Sequence, residues 1–132
     1  MVFGAGKVGA HLARILLDRG DEFRVAKRSP AGSPAGAGPV LGDAADPAFC
    51  TAAVNWASTV YHCLNPPYVA KVWAELVPRY MTNLVEASAR AGARLVVLGR
   101  VPTTPDPEER PGAFRSTLRL AQAFVVSVQR RR

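Results

Sequence analysis

Gly4-Ala5-Gly6-Lys7-Val8-Gly9 follows directly on Met1-Val2-Phe3 and decides the reading of this 132-residue chain. The spacing is G-x-G-x-x-G, and an apolar helical pattern begins at once. That is the layout of a strand–turn–helix that holds the pyrophosphate of a dinucleotide. Gly4 permits a tight turn out of the strand. Gly6 lets a phosphate approach the backbone, and Gly9 lets the helix pack closely. The first helical residues, Lys7 and Val8 among them, would offer backbone N–H groups and the positive end of the helix dipole to the anion. The competing reading is a glycine turn with a purely structural task.

The residues that follow favour the first reading. Val8, Leu12, Ile15 and Leu16 recur at helical spacing, with Arg14, Asp18 and Arg19 opposite. Gly20 stands where a helix C-cap is expected. Glu22-Phe23-Arg24-Val25-Ala26 alternates as a strand does. Turn, helix, stop and strand fit within one βαβ unit.

Downstream, residues 29–39 are rich in proline and glycine and read as a surface loop. A short strand is expected at Val40-Leu41, ending at Gly42-Asp43. A helix is expected over residues 47–56, with Asp46 as N-cap and Pro47 at its first position. Thr59 to Leu64 reads as a strand buried on both faces. A long helix is expected from about Val69 to Ala91, with the stripe Val72, Leu76, Tyr80, Leu84, Ala87 and with Pro78 kinking or splitting it. Gly92 caps it, and Leu95 to Leu98 reads as another buried strand. This order predicts an α/β, Rossmann-like, doubly wound and mostly parallel sheet. The dinucleotide-binding domain spans 1–99, and 100–132 is a Pro/Arg-rich stretch. Its Phe114, Leu118, Ala121, Val125 and Val128 suggest a terminal helix that covers the sheet or meets a protein partner.

Composition bounds the function. Apolar residues make up 48%, ordinary for a globular protein. No apolar run approaches the ~20 residues a membrane span needs. No leader precedes the first strand, and Cys50 and Cys63 lack metal or C-x-x-C spacing, so reduced thiols and a cytoplasmic setting are expected. The net charge is +7. Residues 100–132 supply more than half of it, with 7 Arg against 3 acids. We read that tail as a solvated end rather than a nucleic-acid surface. His11 and His62 read as ordinary helix and sheet residues, and Trp56 and Trp73 as packing residues.

An NAD site places an acid near the end of the second strand. Here Ala26-Lys27-Arg28-Ser29 stands in its place. Two cations suit a 2′-phosphate, so NADP is preferred over NAD, with Arg28 the stronger candidate and Arg24 a helper.

These residues resemble the N-terminal half of the extended or atypical short-chain dehydrogenase/reductase family, also described as NAD-dependent epimerase/dehydratase proteins. Gly4, Gly6 and Gly9 match its glycine turn, with Phe3 where a first glycine usually stands. Gly42-Asp43 resembles the acid that meets the adenine amino group. Val60 to Asn65 resembles the strand under the cofactor, which implies Leu64 and Asn65 near the nicotinamide ribose. Tyr80 to Ala87 resembles the helix that often reads Asn, two apolar residues, Glu-Ala-Ala. Ala93 to Leu98 resembles the next strand. The family's Tyr-x-x-x-Lys pair has no counterpart, because no tyrosine follows Tyr80 and no lysine follows Lys71. Tyr68-Val69-Ala70-Lys71 has the wrong spacing, and Thr103 and Thr104 read as loop residues. No catalytic residue is assigned. The abbreviated ends suggest a truncated or frameshifted reading of a longer reductase. A non-catalytic NADP(H)-sensing module is the alternative.

Overall fold

A computed structural model describes residues 1–33 and 36–98. The expectations for residues 100–132, including Thr103, Thr104 and the terminal helix, lie outside these residues.

The elements run β1 (Val2–Phe3), α1 (Lys7–Asp18), β2 (Arg24–Lys27), β3 (Gly38–Leu41), α2 (Pro47–Val54), β4 (Thr59–His62), α3 (Ala70–Ala91) and β5 (Arg94–Val97). All strand pairs are parallel, in the order β3-β2-β1-β4-β5. The chain starts in the middle of the sheet, winds outward through β2 and β3, then crosses over to β4. Winding therefore reverses between β1 and β4. That crevice, at the carboxyl ends of the strands, is where open α/β sheets receive ligands.

Alternation along each strand divides the core in two. Val2 and Val25 join Ala13, Leu16 and Phe23 on the α1 face. Phe3, Ala26, Val60, Leu95 and Val97 meet α2 and α3 on the other, where Val54, Tyr80 and Leu84 are buried. The Asp46 carboxylate accepts from Ala48 N–H at 2.9 Å and caps α2, with Pro47 just inside. Gly92, at φ +67°, ends α3 in the left-handed conformation.

Three expectations need correction. Pro78 does not split α3, which stays a single helix over 22 residues. Pro78 and Ala74, whose carbonyl loses its helical donor, are both exposed, on the side of the helix where that loss costs least. On α1 the buried residues are Gly9, Ala13 and Leu16, whereas Val8 and Ile15 of the expected stripe are exposed. Thr59, Tyr61 and Val96 are only half-buried, so β4 and β5 are not covered on both faces. One cause accounts for the last two. Leu17, on one flank of α1, packs against Gly36 before β3. Val8 and Ile15 lie on the opposite flank, and beyond Leu12, which packs with Tyr61 and Cys63 on the edge of the core, no further element among the described residues covers them.

Candidate functional site

The glycine turn occupies the crevice between β1 and β4. Gly4 has φ +97°, a conformation that side chains resist. A Cβ there would also lie 2.8 Å from the Cys63 carbonyl oxygen beyond β4. Gly9 is tighter: a Cβ would come 1.9 Å from the Gly4 carbonyl oxygen. The helix thus rides on its own turn, nearer than any side chain permits. Gly6 is the opposite case. It is the exposed N-cap of α1, has no side-chain capping bond, and nothing lies within 4 Å of where its Cβ would be. The first N–H groups of α1 therefore face open space, and no acid occupies the first turn to repel an anion.

That space belongs to a cavity of about 220 Å³ along the carboxyl edge of the sheet. Gly4 and Gly6 form its middle. Lys27, Arg28 and Asp43 line the end over β2 and β3, while Leu64, Asn65 and Pro66 line the end over β4. Seven of the residues picked from the sequence thus meet around one cavity. Lys7 and Val8 are exposed on the first turn of α1 and do not line it, and Gly9 acts from below, on Gly4.

The two cations after β2 differ. The Lys27 ammonium donates to the Ala31 carbonyl of the following loop, whereas Arg28 is exposed at the cavity mouth. Arg24 cannot assist them. It starts β2, three residues before Lys27 and four before Arg28 toward the amino edge, roughly 10 Å or more away along the strand. Its guanidinium lies 4.8 Å from the centre of the Trp56 ring.

Asp43 accepts from Ala45 N–H at 2.9 Å, which turns the backbone just after β3. Asn83 on α3 donates to the Ala44 carbonyl at 2.8 Å and fastens this turn to the helix. Behind it lies Phe49 of α2, whose ring a Cβ on Gly42 would meet at 2.2 Å. Phe49 packs edge-on to Phe3, ring centres 6.3 Å apart.

Tyr80, Phe49 and Pro66 also line the cavity and escaped the sequence reading. Tyr80 sits on the apolar stripe of α3, which by spacing alone reads as core. Burial pushes its phenol upward in pKa, the Asp43 carboxylate adds to this, and the Arg28 cation opposes it. The clue was a polar tip on a stripe that leads to Asn83.

His62 is buried at the end of β4. Its Nδ1 accepts from Leu64 N–H at 3.2 Å, and burial lowers its pKa, so it stands as a neutral, satisfied imidazole. Burial raises Cys63 to about 11 and, with Asp46 and Asp43, Cys50 to about 11. Neither thiol is a ready nucleophile. The open, uncapped head of α1 at the middle of the cavity is a place where an anion is favoured.

No protein-family model matches the sequence, and no curated protein matches it. Solved structures do. The NAD complex of UDP-glucose 4-epimerase from Thermus thermophilus shares 26% identity over 82% of this chain and 42% of its own, TM-score 0.60. MoeE5, in complex with UDP-glucuronic acid and NAD, shares 28% over 73% of this chain and 34% of its own, TM-score 0.57. A short-chain dehydrogenase/reductase superfamily protein from Agrobacterium tumefaciens with bound NAD shares 24% over 73% and 30%, TM-score 0.62.

Sheet order, winding and glycine cradle define a Rossmann-like α/β domain. More particularly, the chain resembles the N-terminal half of extended short-chain dehydrogenase/reductases and epimerases, and it spans less than half the length of these three structures. No helix among the described residues is long and apolar enough to cross a membrane.

Proposed function

We propose that this chain binds a nicotinamide dinucleotide, NADP in preference to NAD, through the cavity over β1 and β4. One observation carries the reading: the open space at Gly6, at the head of α1, between two glycines packed too tightly for any side chain. Two linked phosphates would occupy that space at the N–H of Gly6 and the positive end of the α1 dipole, with Lys7 and Val8 on the adjoining open first turn. Gly4 and Gly9 give the cradle its shape. Asp43 meets the adenine amino group, and Leu64 and Asn65 flank the second ribose. Arg28 takes the 2′-phosphate, supported by Lys27, because a planar guanidinium binds a phosphate through paired hydrogen bonds. The NAD held by the three similar structures supports the dinucleotide class.

The chain contains no Tyr-x-x-x-Lys pair. Lysine one turn from tyrosine is what favours the phenolate that would serve as base or acid. That favours a second reading, a binding or sensing module that turns over no substrate itself.

Calorimetric titration of NADP⁺ and NAD⁺ into the full chain and into Arg28→Ala tests the proposal. NADP⁺ should bind roughly tenfold or more tightly than NAD⁺, since charge-assisted bonds of this kind contribute about 1.5–3 kcal/mol. Arg28→Ala should erase the difference. Unchanged selectivity rejects Arg28, and failure of both nucleotides to bind rejects the site. NADPH consumption with carbonyl substrates would reject the second reading.

A further inference from the structure

Tyr68 on the loop between β4 and α3 and Trp73 in the first turn of α3 are two aromatic rings that the dinucleotide reading leaves unused. Tyr68 is 69% exposed, yet its ring stacks on Trp73, centres 5.8 Å apart and planes 25° from parallel. Both rings are tied to the cavity wall. Asn65 Nδ2 donates to the Tyr68 oxygen at 3.3 Å, and Trp73 Nε1 donates to the Pro66 carbonyl at 3.2 Å. Asn65 and Pro66 line the cavity, and Pro66-Pro67 limits the freedom of the loop that joins them. An exposed aromatic ring ordinarily keeps its rotamer freedom. This one is held just outside the cavity, against Asn65 and Pro66, which line the end opposite Arg28 and Asp43.

We propose that the Tyr68–Trp73 stack is the platform for the nicotinamide ring, which makes Tyr68 a residue that discriminates the oxidised cofactor. The inference rests on the dinucleotide reading. With adenine at β2–β3 and pyrophosphate at Gly6, the second ribose lies at Leu64–Asn65. The base it carries must project past Asn65 and Pro66, where the stack stands. The oxidised nicotinamide is a flat cation, and the face of a tyrosine attracts cations. The reduced ring is neutral and gains less. Trp73, read from sequence as a packing residue, here braces the ring that meets the ligand.

The test compares NADP⁺ with 2′-phospho-ADP-ribose, which has every group except nicotinamide. Both are titrated calorimetrically into the full chain, Tyr68→Ala and Tyr68→Phe. Tyr68→Ala should weaken NADP⁺ roughly three- to tenfold and NADPH by less, and leave 2′-phospho-ADP-ribose unaltered. Tyr68→Phe, which keeps the ring, should bind NADP⁺ like the parent. Equal losses for both ligands, or no loss for either, would overturn the platform while the phosphate cradle stood. If neither ligand binds the parent chain, both readings fall together. A change in sedimentation with Tyr68→Ala alone would assign the exposed ring to self-association and overturn the proposal too.

Discussion

Gly9 stands so close to Gly4 that a methyl group on it would reach 1.9 Å from the Gly4 carbonyl oxygen. The obstacle is backbone, not a side chain able to swing aside. Gly9→Ala must therefore push α1 off the turn. It should destabilise the domain by about 3 kcal/mol or more, seen as a drop of at least about 10 °C in Tm. An unshifted Tm would mean that the helix does not sit on its own turn.

Gly6→Ala separates shape from stability. Nothing lies within 4 Å of the added Cβ, so Tm should hold within a few degrees. The methyl enters the space assigned to the phosphates, and dinucleotide affinity should fall roughly tenfold or more. Full affinity in Gly6→Ala would place the phosphates elsewhere.

Asp46 reports on the turn that carries Asp43. Its carboxylate caps α2 through Ala48 N–H. Asp46→Ala should lower stability by about 1 kcal/mol and leave cofactor affinity near that of the parent. Chemical denaturation measures the first and calorimetry the second.

His62 sets a pH dependence whose sign follows from burial. Its folded pKa lies below the ordinary 6.5, so the unfolded chain binds the proton more readily. Stability is full above pH 6.5 and falls as pH drops from 6.5 toward the lower folded value. The buried Met1 amine, lowered to about 6, acts with the same sign between pH 8 and 6. His62→Asn offers Leu64 N–H another acceptor but does not titrate. Melting curves from pH 8 to 5 should therefore be shallower below 6.5 in His62→Asn. Identical slopes would show that His62 carries none of the effect.

Cys50 and Cys63, both near 11, should react with disulfide reagents at pH 8 at least about a hundredfold more slowly in the native protein than in guanidinium. Rapid native labelling of one thiol would mean that its burial is transient.

The sequence made the local signals plain. A glycine triplet before an apolar helix, Asp46-Pro47 at a helix start and Gly92 at a helix end each encode their structure within a few residues. Hidden from it was whatever depends on what lies across from a side chain. Spacing puts Val8, Leu12 and Ile15 on one face of α1 but cannot say whether a neighbour covers that face. Arg24 and Arg28 share one strand region, yet only their order along it puts one at the amino edge and the other at the cavity. Tyr80 and Phe49 reach the site from the far side of the sheet, through helices that read as plain core.

The Phe49 ring fills the volume that any side chain at position 42 would need. Those two positions are consequently interdependent. An alanine at 42 is tolerable only beside a smaller residue at 49, and shrinking 49 alone hollows out the wall beneath Asp43. Substitutions there should be strongly non-additive, so the wall beneath Asp43 can drift only by paired replacements.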